Sequence, residues 1–289
     1  MAVRLLALWR TSGKLQVGAS ILILFFVISV VHPLIVNAIG KGDDPLKIGT
    51  YQAWLMPSWS HLLGTERYGR DLMAMTVTGL WASLQVGVLA GLLATLVGIL
   101  VGFVAGFKGG AVDSFLATTT DMFLVVPALP LLITLSAYVR NVSLWQVSLM
   151  LAAFSWPFAA RTIRAQVLSL RSRPYVDLAR ANKMTDMEII WQELVPNMLP
   201  YIGVGLANAS LGAIFALAAI EVIGLGPSGA IDLGLMIGWA VGWGALSLGA
   251  WPIFVAPVTV LSLIFLAVNL INVGLEETYN PRLRRVAGA

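Results

Sequence analysis

Few side chains in this sequence are of a type that performs chemistry, and their spacing excludes most reactions. With no cysteine and 2 histidines in 289 residues, thiolate nucleophiles, disulfides and thiolate metal sites are excluded, and a histidine metal site lacks ligands. His32 and His61 fall in different segments, so neither joins a nucleophile in a hydrolytic constellation. Ser12-Gly13-Lys14-Leu15 and Phe107-Lys108-Gly109-Gly110 lack the spacing and hydroxyl of a phosphate-binding loop, so ATP is not bound by that route. Asp121 and Glu221 stand inside apolar stretches, where charge is costly and often functional. Each lies near the end of its stretch, and the expectation is a buried side chain bonded to a neighbouring helix, not a proton relay. What remains is the segment Tyr175-Val176-Asp177-Leu178-Ala179-Arg180-Ala181, with Lys183 two residues on. Tyr175, Leu178 and Ala179 recur at helical spacing with Asp177, Arg180 and Lys183 elsewhere around the turn, and Pro174 suits a first turn. Such a short amphipathic helix docks, either onto lipid headgroups or, apolar face first, into a groove of a soluble partner. Thr185 and Glu188 fit a capping box, so a second short helix is expected there before Pro196.

The elements that position these residues are set by composition. A chain with 58% hydrophobic and 11% charged residues has less than half the charge of a soluble domain, about 25%, and its mean hydropathy is +0.87. The reading is an all-α polytopic membrane protein. Spanning helices need about 20 apolar residues, and six stretches qualify: Val17 to Ala38, Leu80 to Phe107, Ser114 to Val139, Leu144 to Val167, Met198 to Ile223, and Trp251 to Gly274. A seventh stretch, Leu233 to Ala250, is cut by five glycines and carries Trp239 and Trp243, so it reads as re-entrant or interfacial. With both termini inside, 13 of 18 basic residues are cytoplasmic and Lys41, Lys47, Arg67, Arg70 and Arg140 are outside, as the positive-inside bias requires. The net charge of +4 therefore reports topology and lipid contact, not nucleic-acid binding.

Arg4, Arg10 and Lys14 before the first apolar run also fit a secretory leader ending near Val36-Asn37-Ala38, but the run is longer than a leader's core, so an uncleaved anchor is expected. Gly87, Gly91, Gly98, Gly102 and Gly106 lie close to one face of the second span and predict tight helix packing. Pro127, Pro130 and Pro157 should kink or locally unwind the third and fourth spans. The stretch from Gly40 to Asp71, rich in turn formers, is outside and too short for a catalytic domain.

Four regions, in order, resemble the second permease subunit of binding-protein-dependent ABC importers of the dipeptide, oligopeptide and nickel family. His61-Leu62-Leu63-Gly64-Thr65-Glu66-Arg67-Tyr68-Gly69-Arg70-Asp71 resembles the family's signature before the second span, where Gly64, Thr65, Gly69, Arg70 and Asp71 match. Tyr175 to Ala181 resembles its coupling segment, followed by Pro196-Asn197. Glu221 with Gly224-Leu225-Gly226, and Asn280-Pro281-Arg282-Leu283, are similar to the last two. The resemblance covers nearly the whole chain from Ser60.

It implies a type I importer permease fold of the MetI-like kind: a cytoplasmic tail and anchor helix (1–39), an extracytoplasmic segment (40–78), a five-helix core (79–275) with a coupling loop at 171–195, and a cytoplasmic tail (276–289). It also implies partners: a second permease, two ATPase subunits holding ATP and magnesium, and an extracytoplasmic binding protein in a prokaryotic inner membrane. This chain would hold no cofactor or metal and hydrolyse nothing. Tyr175, Val176, Asp177, Leu178, Ala179, Arg180, Ala181 and Lys183 would meet an ATPase. The sequence departs from the family pattern at Asp177, in place of glutamate, and at Lys183, in place of a glycine, which bears on the turn there. The outer loop after Glu221 lacks the peptide-type paired prolines and Ser-Trp-Gly, and Ser247 to Trp251 with Gly274 to Arg282 look like members that carry oligosaccharides. Cargo therefore reads as peptide or oligosaccharide, with nickel poorly served by two histidines. A solitary secondary transporter would need midplane ion pairs or inverted repeats, and none is evident.

Overall fold

In a bilayer an apolar run forms a helix because only a helix pairs every N–H and C=O within its own segment. The computed structural model describes residues 12–138, 142–227 and 229–279. In chain order these form α1 (Gly13–Val30), α2 (His32–Gly40), α3 (Leu72–Lys108), α4 (Gly110–Val125), α5 (Ala128–Tyr138), α6 (Leu144–Leu170), α7 (Pro174–Ala181), α8 (Asp186–Glu188), a π turn (Ile189–Leu194), α9 (Val195–Val222), α10 (Leu233–Gly242) and α11 (Pro252–Tyr279). No strand occurs among the described residues. α3, α11 and the continuous helix over Asp186–Val222 are long and apolar enough to cross a membrane, as is α1, and α4 with α5 would make a fifth span. α6 has the length for a sixth, at 27 residues, but Arg161, Arg164 and several amides and hydroxyls lower its apolarity. Six spans are compatible with this set.

Prolines explain where the helices differ from the expected spans. The first span is two helices broken at Val31, because Pro33 has no N–H for the carbonyl of Ser29. His32 Nδ1 lies 2.7 Å from that carbonyl. The third span bends by 71° at Val126 and Pro127, as expected, while Pro130 sits in the first turn of α5, where a missing N–H costs nothing. α6 continues through Pro157. The helix expected to start at Thr185 is not separate from the fifth span. It runs into α9 through the π turn, where Val195 N–H reaches the carbonyl of Ile190, a widening that accommodates Pro196 directly after it. α10 is 10 residues long, about 15 Å, and is too short to cross, as its glycines foretold.

The described residues divide into two compact units, one made of those that fall within 1–86, 139–144 and 214–289 and the other of 87–138 and 145–213. In the first, α1 packs along α11: a Cβ on Gly18 would press on the carbonyl of Ala267, and one on Gly274 on the backbone of Leu15. Lys14 pairs with Glu277, whose Oε2 also accepts from Ser12 Oγ at 3.3 Å. A second core joins Leu72 and Met75 to Met236, Ala240, Ala245 and Ile253.

In the second unit the glycine stripe of α3 does what its spacing predicts. A Cβ at Gly98 would lie 2.5 Å from Ala159 Cβ, and one at Gly102 2.7 Å from the carbonyl of Ala160. Gly106 meets Val167 in the same way, and Gly91 faces Ser210 of α9. Without side chains there, the α3 backbone makes dispersion contacts directly with the backbone and Cβ atoms of α6, the usual source of helix association where hydrophobic driving force is absent. Gly98→Leu should separate α3 from α6 and destabilise the chain by about 1–3 kcal/mol, read as a lowered thermal midpoint in detergent; an unchanged midpoint would contradict this packing.

Candidate functional site

The segment around α7 is held by its own chain before it meets anything else. Val176 and Ala179 of α7 are buried in a core with Phe103 and Phe107 of α3, Ile163 and Val167 of α6, Ile189 and Leu194 of the π turn, and Met198 of α9. Arg171 Nη1 donates to the carbonyl of Gly106 at 2.9 Å, capping the end of α3 with a cation where the helix dipole is negative. Arg164 pairs with Asp113 of α4, Nη2 to Oδ2 at 2.8 Å. Thr185 and Glu188 form both halves of the expected capping box, with Glu188 Oε2 accepting from Thr185 N–H at 2.7 Å. That backbone hydrogen bond holds the Glu188 carboxyl below its ordinary pKa.

The expected docking face is therefore corrected. Ala179 faces the protein's own core together with Val176, while Leu178 points outward, 63% exposed. Tyr175 packs partly against the core, and burial pushes its phenol above the ordinary range, with Glu193 adding to the effect. The outward apolar side chains of this region are Leu178, Met187 and Trp191. The last two lie on the segment from α8 into the π turn and were not singled out from sequence, where the extra residue of a π turn leaves no periodic signal. Asp177 and Arg180 form an exposed pair at 3.2 Å, and Arg180 lies over the Phe107 ring at 5.8 Å. Asn197 Nδ2 donates to the carbonyl of Glu193 at 2.7 Å, beside Pro196.

The signature from His61 to Asp71 folds into a cap at the start of α3. Asp71 Oδ1 accepts from Ala74 N–H at 3.0 Å, its other oxygen meets His61 Nδ1 at 2.8 Å, and so it satisfies an orphan donor of the first turn. Thr65 Oγ1 donates to the carbonyl of Gln52 at 2.6 Å and accepts from Leu55 N–H at 2.9 Å. Arg70 Nε donates to the fully buried Glu66 at 2.9 Å, and its guanidinium lies 4.5 Å from the Trp239 ring of α10. Gly64 and Gly69 have φ of +81° and +73°, and a Cβ on either would strike the carbonyl of Leu55 or Tyr51; the positions require glycine on both grounds.

Glu221 stands near the end of α9. It is buried next to Asp232, which no sequence signal marked. Asp232 Oδ1 caps α10, accepting from Gly234 N–H at 2.7 Å and Leu235 N–H at 3.1 Å. Glu221 Oε1 and Asp232 Oδ2 are both buried and have no hydrogen-bond partner among the described residues. A Cβ on Gly226 would overlap the Glu221 carboxyl, which accounts for the second glycine of Gly224-Leu225-Gly226. Pro281 and Arg282 lie outside the described residues.

Residues 98–285 match the family model described as binding-protein-dependent transport system inner membrane component. The chain belongs to that family. It is a permease subunit of an ABC importer. It is 30% identical over 284 residues to the dipeptide transport system permease protein DppC of Bacillus subtilis, covering 96% of this chain and 85% of the relative. It is 29% identical over 230 residues to the oligopeptide transport system permease protein OppC of Mycobacterium tuberculosis, covering 79% and 78%. Among solved structures, a chain of the inward-facing methionine ABC transporter MetNI superposes with a TM-score of 0.56 at 19% identity, over 70% of this chain and 97% of that chain. This likeness establishes the permease fold.

Against that family frame, the departure at Lys183 acquires a physical reading. Lys183 adopts φ of +60°, the left-handed conformation a glycine would take without strain. Its N–H bonds the carbonyl of Arg180 at 2.9 Å and Met184 N–H bonds that of Ala179 at 3.2 Å, the paired bonds of a Schellman close. The permease keeps the turn and bears the strain. Lys183→Gly should remove about 1 kcal/mol of it, slowing amide hydrogen exchange over residues 175–184 about fivefold; unchanged or faster exchange would refute the strain argument.

Proposed function

We propose that this permease pairs with a second permease to form the path of an importer for peptides, delivered by an extracytoplasmic binding protein and driven by two separate ATPase subunits that hold ATP and magnesium. The observation that carries the coupling role is α7 itself: a helix fixed from behind by Val176 and Ala179, presenting Leu178 outward with Met187 and Trp191 nearby. An apolar side chain on a rigid support is what a groove-docking helix offers, with Asp177, Arg180 and Lys183 setting register. Tyr175, Val176, Ala179 and Ala181 would act by holding that helix in place. Pro196, Asn197 and the outer cap of Gly64, Thr65, Gly69, Arg70 and Asp71 would act structurally, as would Glu221, Pro281 and Arg282.

Peptide cargo is favoured over oligosaccharide because the relatives carry dipeptide and oligopeptide names. The excess of basic residues on one side supports a cytoplasmic placement of both termini. This chain's own work is then mechanical: it converts approach and separation of the ATPases into movement of the transmembrane path, with no bond made or broken on its own side chains.

Leu178→Glu tests the docking. Because Leu178 is exposed, the variant should insert and fold as the parent does, while charge facing an apolar groove should weaken association with the ATPase by about 30-fold or more, the scale of an interface hot spot. The readouts are ATPase recovery through a tag on this chain and uptake in proteoliposomes. Normal recovery with normal uptake would overturn the proposal and return α7 to the lipid surface.

A further inference from the structure

Within the unit formed by 87–138 and 145–213, helices α3, α6 and α9 line a half-open cavity of about 360 Å³, a volume within the range of small-molecule sites. Two features show that it is not simply loose packing. Gly205 and Gly212 of α9 lie seven apart, hence on one face, and both line the cavity, yet a Cβ at either would meet nothing within 4 Å. Unlike the packing glycines of α3, they are not needed by any neighbour among the described residues. They leave room. On the opposite wall Thr95 is 4% exposed, and its Oγ1 has no hydrogen-bond partner among the described residues. Thr162 and Ser155, which also line the cavity, bond their own helix at the carbonyls of Phe158 and Leu151. A buried hydroxyl left open costs free energy unless some other group meets it.

The lining is chemically neutral. It holds hydroxyls, the Asn208 amide and the rings of Phe154, Phe158 and Tyr201, with no Asp, Glu, Lys or Arg. A charged terminus or side chain entering it would find no counter-ion and would be desolvated at a loss. An amide group is neutral and carries both a donor and an acceptor, and its flat π system rests well against an aromatic ring.

We propose that this cavity contacts the main chain of the transported peptide, with Thr95 Oγ donating to a peptide carbonyl and Gly205 and Gly212 leaving the width for its passage. The site rests on the peptide reading above and deepens it: contact through amides does not discriminate among side chains.

The test uses the full importer, recovered through a tag on this chain and reconstituted in liposomes with its binding protein. Uptake of radiolabelled penta-alanine is compared with that of pentapeptides bearing a central lysine or glutamate. Thr95→Val keeps the shape and removes the donor; it should slow uptake of all three about fivefold, with ATP hydrolysis within about twofold of the parent and Thr95→Ser restoring transport. Gly212→Leu should block uptake of all three while the complex is still recovered and still hydrolyses ATP. Unchanged uptake in both variants, or a loss confined to one charge class, would overturn the site and leave the peptide importer standing. Loss of ATP hydrolysis in both Thr95 variants would make Thr95 structural and also overturn it. If the parent complex takes up none of the peptides, the peptide reading falls and the site falls with it.

Discussion

The contact of α3 with α6 is the constraint on which the packing of α7 depends. Gly98, Gly102 and Gly106 bring the two backbones together, and nothing else in a bilayer would hold them so closely, because lipid tails compete for any apolar side chain. At the inner end of that contact, Phe103 and Phe107 from one helix and Ile163 and Val167 from the other form the floor on which Val176 and Ala179 rest. Arg171 then ties the connection after α6 to the last carbonyls of α3. The orientation of α7 is thus inherited from a helix pair within the membrane, not set by the loop that contains it.

Much of the architecture was legible because membrane physics leaves few options. Apolar length gave the helices, and the break at Pro127, the capping box at Thr185 and Glu188, and the short α10 all lay where local chemistry put them. The break at Pro33 was visible in principle and was not read, since a single proline near the end of a span is often tolerated. The π turn was not legible: an inserted residue shifts the helical phase, and periodicity has nothing to report there.

The helix α7 shows the same limit at finer grain. Tyr175, Leu178 and Ala179 form an apolar stripe by spacing, but Val176 lies on the other side of it, and periodicity does not say which side the protein itself covers. The core chose Val176 with Ala179 and left Leu178 outside. Asp232 was missed for a related reason. As a residue before a glycine-rich apolar stretch it reads as an ordinary helix cap, and so it is; its proximity to Glu221 comes from tertiary approach that no local pattern encodes. By contrast, the turns at Gly64 and Gly69 and the cap made by Asp71 are built within one short segment, since turns and caps are local matters.

The π turn has a mechanical meaning. It joins α8 to α9 without a break, so that one continuous rod runs from Asp186 to Val222, and the residues packed under α7 stand on the same rod as Tyr201, Gly205 and Asn208. From Ile189 to Asn208 the rise is about 30 Å, comparable to the thickness of the hydrocarbon layer. The rod carries its own points of compliance, because the π turn, Pro196 and Pro200 each interrupt the i to i−4 ladder between Ile189 and the cavity wall. A lateral force at the end that carries α7 would therefore reach that wall both as tilt of the rod and as bending at these points.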